Sequence, residues 1–134
     1  MNAAANLFTA YLDNKGIKYT AQEDKRVTVS YSADNTSVRS VLVFGDDGKD
    51  VALRVFSLVK VPEGKVGALQ AVCSDLNRKW RWCKFYLDQD NEVTVAIDAV
   101  ITPETTGPVA YELVIRTVDI VDKADPDIMK ALWS

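Results

Sequence analysis

Histidine is absent from this chain of 134 residues. That absence removes the usual general base near neutral pH and the commonest transition-metal ligand. Catalytic triads built on histidine, histidine-held haem and mixed histidine–cysteine zinc sites are excluded with it. Cysteine is nearly as scarce. Cys73 and Cys83 are the only two, too few for a four-thiolate site within one chain. No stretch approaches the roughly 18 uninterrupted apolar residues of a membrane span. The opening MNAAANLFTAYLDNKG has neither a basic leader nor a long apolar run, so it does not read as a signal peptide. A cytoplasmic setting with reduced cysteines is the expectation. Excess positive charge is missing too: Lys and Arg number 16 against 19 Asp and Glu, a net charge of -3. Nucleic acid would need a local basic patch rather than overall attraction.

What is present is ordinary for one globular domain, 48% hydrophobic and 26% charged, and no linker or repeat divides residues 1–134. A chain of this length buries roughly two-thirds of its unfolded surface and needs no staple. Asn2 is placed to cap a first helix, whose apolar stripe is Leu7, Phe8, Tyr11 and Leu12, with Gly16 at its end. Val27, Val29 and Tyr31 alternate with Thr28, Ser30 and Ser32, a strand signal that Asn35 then turns. VRSVLVFG and DVALRVFSLVKV are the next two strands, joined by a turn at Gly48. Two registers satisfy that hairpin: a three-residue loop pairs Val43 with Val51, and a two-residue loop pairs Phe44 with Val51. Apolar residues on both faces predict that both are at least partly covered.

Residues 63–79 form a helix through Val66, Leu69, Val72, Cys73 and Leu76, with Arg78 and Lys79 suiting its C-terminal end. A strand from about Arg81 to Asp88 and its partner EVTVAIDAV follow. The next helix starts at Thr106-Gly107-Pro108, or earlier at Pro103, and Val109, Leu113, Val114, Ile115, Val118, Ile120 and Val121 occupy most of its circumference. Such a helix is expected to be buried on nearly all sides. Asp125 and Pro126 cap a last short helix carrying Ile128, Met129, Leu132 and Trp133. The predicted order is α-βββ-α-ββ-α-α, an α+β domain with a mainly antiparallel sheet and helices packed on it.

The stretch NRKWRWCKFYLDQDN, residues 77–91, carries the chemistry that needs testing. As a calcium loop starting at Asp88 it fails: Val93 stands where glycine must turn and Ala99 where a bidentate glutamate must close the site. A hairpin explains it better. The loop Gln89-Asp90-Asn91 pairs Leu87 with Val93, Phe85 with Val95 and Cys83 with Ile97, all core-facing, and Asn91 tolerates the left-handed conformation such loops need. Asp88 then opposes Glu92, an unfavourable pair that solvent relieves. Trp82, Lys84 and Tyr86 fall on the other face, opposite Asp98, Ala96 and Thr94. Aromatics with a lysine between them suit base stacking, yet Asp88, Glu92 and Asp98 surround them. The alternative is a helix covering Trp82 and Tyr86.

No catalytic residue emerges. Asp46, Asp47 and Asp50 read as turn residues, EGKVG is no phosphate loop, and no nucleophile elbow is present. Cys73 and Cys83 occupy core positions and behave as small hydrophobes. No cofactor or metal is implied.

DVALRVFSLVKVPEGK, SDLNRKWRWCKFYLDQDNEVTVAIDAV and YELVIRTVDIVDKADPDIMKALW are phrases long enough to be distinctive. Through them the chain resembles the YbjN family. Members are described as bacterial sensory transduction regulators, a label with little mechanism behind it. The resemblance implies a fold similar to type III secretion chaperones and a bacterial cytoplasmic setting. It carries over no catalytic residue.

The function expected is a non-enzymatic protein-binding or regulatory domain, forming a homodimer or meeting another protein through surplus apolar surface. The candidate interaction surface comprises Arg81, Trp82, Lys84, Tyr86, Ile128, Met129, Leu132 and Trp133. The alternative is nucleic-acid or small-ligand binding by the aromatic and basic face around Trp82, Lys84 and Tyr86.

Overall fold

Side-chain alternation builds one face of the sheet from Val27 and Val29, Val38, Leu42 and Phe44, Val51, Leu53 and Val55, Phe85, and Val93, Val95 and Ile97, all buried. A computed structural model describes residues 1–134. Its six strands are β1 (Thr20–Gln22), β2 (Arg26–Ser32), β3 (Ser37–Phe44), β4 (Asp50–Lys60), β5 (Lys84–Leu87) and β6 (Glu92–Val100). They form one sheet in the order β1-β2-β3-β4-β6-β5, every neighbouring pair antiparallel. The helices are α1 (Ala3–Lys15), α2 (Val66–Lys79, entered through a short 3₁₀ turn) and α3 (Thr106–Trp133). This is the expected α+β architecture, a mainly antiparallel sheet with helices packed on it. The short strand β1 is an addition; three exposed residues carry no periodic signal. Because β6 lies between β4 and β5, those two run parallel, and α2 makes the long crossover that parallel neighbours require.

Both hairpin registers resolve. Phe44 pairs with Val51, and Gly48 takes a left-handed φ of 73° in the intervening loop. Lys84 pairs with Ala96, Phe85 with Val95, Tyr86 with Thr94 and Leu87 with Val93, as parity demands, and Asn91 has φ 55°. Asn2 caps α1, its Oδ1 accepting from Ala5 N–H at 2.8 Å, and Gly16 ends it with φ 72°. Phe8 and Leu12 are buried, but Leu7 is exposed, because the inward face of α1 is Ala4, Ala5, Phe8 and Leu12.

Two expectations for α3 need correction. The last two helices are one. Pro126 lacks the N–H that would reach the carbonyl of Asp122. Asn35, in the turn between β2 and β3, fills that vacancy by donating Nδ2 to the Asp122 carbonyl at 3.0 Å. The Asp122 carboxylate accepts in return from the backbone N–H groups of Asn35 (2.6 Å) and Thr36 (3.2 Å). The turn thus latches the helix where proline weakens it. Nor is α3 buried all round: Leu113, Val114, Thr117, Ile120, Val121, Ala124 and Ile128 face inward, while Glu112, Ile115, Arg116 and Asp119 are exposed. At its start Gly107 lies against Tyr11 of α1, where an added Cβ would come within 2.5 Å of the ring.

All three helices pack on the same face of the sheet. The opposite face has no helix over it, which corrects the expectation of helical cover for Tyr86. Val41, Thr28 and Thr94 on that face are nevertheless buried, shielded by cross-strand neighbours rather than by a second layer.

Replacing Asp122 with alanine removes the acceptor for two backbone donors. Urea unfolding should show a loss of about 1–2 kcal/mol, the net worth of hydrogen bonds to a charged acceptor that water only partly replaces. Unchanged stability would contradict the latch.

Candidate interaction surface

The open face is readable row by row. Thr20, Thr28, Val41, Arg54, Ala96 and Lys84 are successive cross-strand partners from β1 to β5. The row beside it contains Tyr86 opposite Thr94, with Phe56 on β4 reaching the same region. Ladder pairing in β4 breaks between Val55 and Val59, and Ser57 within the break has φ 51°. Three residues of β4 there face a single residue of β6, so alternation resumes unchanged on the far side. The bulge leaves Phe56 52% exposed. Period-two alternation with the inward Val51, Leu53 and Val55 already places Phe56 on this face, though it gives no warning of the bulge that begins there.

Arg26, Arg39, Arg54, Lys60 and Lys84 share this face with Asp50, Asp88, Glu92 and Asp98, and Arg54 pairs with Asp98 at 2.6 Å. The acids lie on the β4, β5 and β6 half, so the half built from β2 and β3, with Arg26 and Arg39, is positive on a chain whose net charge is -3.

At the β5 end, α2 sets the geometry. Asn77, in its last turn, accepts from Phe85 N–H (2.6 Å) and donates to the Phe85 carbonyl (2.9 Å). Its side-chain amide takes the place of a neighbouring strand and blunts the sheet edge there. The segment 80–83 then bends rather than joining the ladder. This displaces Trp82 from its expected partner Asp98. Its ring, 47% exposed, lies beneath the guanidinium of Arg116 on α3, 4.9 Å from the centroid. Trp80 is half-buried beside Lys79 and Lys123, its indole N–H without a partner.

Four expected residues do converge. Arg81, Trp82, Lys84 and Tyr86 line one concavity of ≈ 520 Å³, with Arg54, Trp80 and Asp98 completing the wall. The terminal-helix residues separate. Ile128 is 0% exposed and belongs to the core, so no partner can reach it, which corrects its place among the surface candidates. Met129 and Leu132 are half-buried. Trp133 is 83% exposed. Between them α2 and α3 leave a groove floored by Ala68, Ala71, Val72 and Ala131, with Asp75, Asp127, Lys79 and Lys130 around it.

The acidic turn is a structural device. Asp88, Asp90 and Glu92 bring carboxylate oxygens within 4.8 Å of one another. The Asp88 carboxylate accepts from Asp90 N–H (2.9 Å), Glu92 N–H (3.1 Å) and the Thr94 hydroxyl (3.1 Å). These donors, the Glu92 amide foremost, hold its pKa below the usual carboxylate value. Glu92 accepts in turn from the Ser57 hydroxyl at 3.1 Å.

Neither cysteine is poised for chemistry. Burial pushes the Cys73 thiol up to about 11. Cys83 is raised by burial as well, with a weak contact to Thr117 Oγ1 at 3.8 Å.

A helical layer on one face of a six-stranded antiparallel sheet recurs in solved structures. YbjN from E. coli, described as a "putative transcription regulator", matches with TM-score 0.64 and 15% identity over 91% of each chain. The heterodimeric ExoU–SpcU complex from the type III secretion system of Pseudomonas aeruginosa matches with TM-score 0.60 and 13% identity over 92% of this chain and 96% of that one. The ExsC–ExsE complex matches with TM-score 0.58 and 15% identity over 100% of this chain and 99% of that one. At such identities the likeness establishes the fold alone. No curated protein sequence matches the chain. The profile of the YbjN family, described as "Putative bacterial sensory transduction regulator", matches residues 5–124, and the chain belongs to that family.

At pH 8 a thiol of pKa about 11 is roughly one part in a thousand thiolate. Iodoacetamide should therefore modify Cys73 about a hundredfold or more slowly in the native protein than in urea. Equal rates would contradict the burial described.

Proposed function

We propose that this protein is a non-enzymatic, cytoplasmic protein-binding domain whose partner docks on the uncovered sheet face. The observation that carries the reading is the exposure of Phe56 and Tyr86 on a strand surface that no helix of the chain covers. Exposed aromatics set among Arg54, Lys84 and Arg81 form the apolar centre and polar rim of a binding surface. Two structural neighbours, ExoU–SpcU and ExsC–ExsE, are complexes of two different proteins, which supports the reading. No helix is long and apolar enough to cross a membrane. Trp133 and the groove between α2 and α3 provide the contact for a homodimer. That groove carries charges of both signs, as a self-complementary two-fold contact requires.

A second reading draws on the cations of the same face. Arg26, Arg39, Arg54 and Lys84, with Tyr86 between strands, suit a single-stranded nucleic acid held through phosphates and stacked bases. It predicts salt-sensitive quenching of tryptophan fluorescence by oligonucleotides. Protein binding is preferred because Arg54 is already neutralised by Asp98.

Affinity capture from the native bacterium separates the readings. The wild-type chain should retain a protein that the Phe56→Ala/Tyr86→Ala variant loses. Retention by both, or by neither, contradicts docking on this face. In sedimentation at micromolar concentration the wild type should be a dimer and Trp133→Ala should shift it toward monomer; a monomeric wild type contradicts the homodimer.

A further inference from the structure

A second concavity, of ≈ 530 Å³, lies at the other end of the open face. Lys18, Thr20, Gln22, Thr28, Ser30 and Arg39 line it, and no carboxylate does. The sheet register assembles it: Thr20 pairs with Thr28 across β1 and β2, and Ser30 with Arg39 across β2 and β3. Lys18 is supplied by the loop that leads into β1.

Polar residues at a sheet edge are ordinarily solvated, and alone they would mean nothing. Thr28 is different. It is 7% exposed, and its hydroxyl is buried without any hydrogen-bond partner. A stranded buried hydroxyl is destabilising unless something satisfies it. The two cations are also free: neither Lys18 nor Arg39 enters any of the ion pairs of the protein. Unpaired positive charge gathered without a carboxylate, on a chain of net charge -3, is not a consequence of composition.

We propose that this concavity binds a small phosphorylated ligand through its phosphate group. A phosphate monoester is a dianion with three terminal acceptor oxygens, enough for an arginine fork, an ammonium and hydroxyl donors together. A carboxylate offers only two oxygens and one charge. The volume falls in the range of small-molecule sites, and the organic part of the ligand would extend toward solvent. The site is independent of the Trp82–Tyr86 concavity, and it stands whether or not a protein docks there.

The test is an amide NMR titration of the full chain at low salt with inorganic phosphate, glycerol 3-phosphate and, as the uncharged control, glycerol. Both phosphates should shift the amides of Thr20, Thr28 and Arg39, and glycerol should shift none. Tighter binding of glycerol 3-phosphate assigns the site to a phosphorylated metabolite, and equal binding assigns it to phosphate itself. Arg39→Met should weaken binding about tenfold or more, the loss expected for a charge-assisted pair. Thr28→Val keeps the side-chain shape, so it should weaken binding several-fold while the protein stays as stable or gains stability. No shift at millimolar phosphate overturns the proposal. So do shifts centred on Lys84 and Tyr86, or binding unaffected by both Arg39→Met and Lys18→Met.

Discussion

Burial of α3 against the inner face of the sheet is the contact on which the rest depends. Leu113, Val114, Thr117, Ile120, Val121, Ala124 and Ile128 present one continuous inward stripe. The strands answer with Leu42, Phe44, Leu53, Val95 and Ile97, also buried. α1 and α2 flank this contact on the same side, α1 touching α3 at Gly107 and α2 gripping β5 through Asn77. Full burial of each large apolar side chain contributes about 1.5–3 kcal/mol. With the apolar stripes of all three helices used on one face, none is left to cover the other.

The functional character follows from that asymmetry. Histidine is absent, both thiols are buried and raised, and the Asp88 carboxylate holds the backbone of its own turn. What the fold exposes instead is surface. Alternation along β4 turns Phe56 outward, β5 adds Tyr86, and Arg26 and Arg39 make the β2–β3 half of the face positive.

The sequence made local devices legible and left long-range ones hidden. Parity and turn chemistry sufficed for the β5–β6 hairpin, including the left-handed Asn91. The Asn2 cap and the stop at Gly16 were equally readable. Pro126 misled because its compensation comes from Asn35, 87 residues away from Asp122. Trp82 left its expected ladder position for the same kind of reason, since its partner Arg116 belongs to a different element. Ile128 reads as a surface candidate only on a separate short helix that starts at Pro126. Continuous with α3, it extends the buried stripe by one more turn.

The central claim is that one sheet face is core and the other is free surface. Hydroxyl-radical footprinting of the full chain, read by mass spectrometry, tests it most directly. Phe56 and Tyr86 should oxidise rapidly, while Phe8, Phe44 and Phe85 stay protected until the protein unfolds. Protection of Phe56 and Tyr86 equal to that of the core phenylalanines would contradict the account.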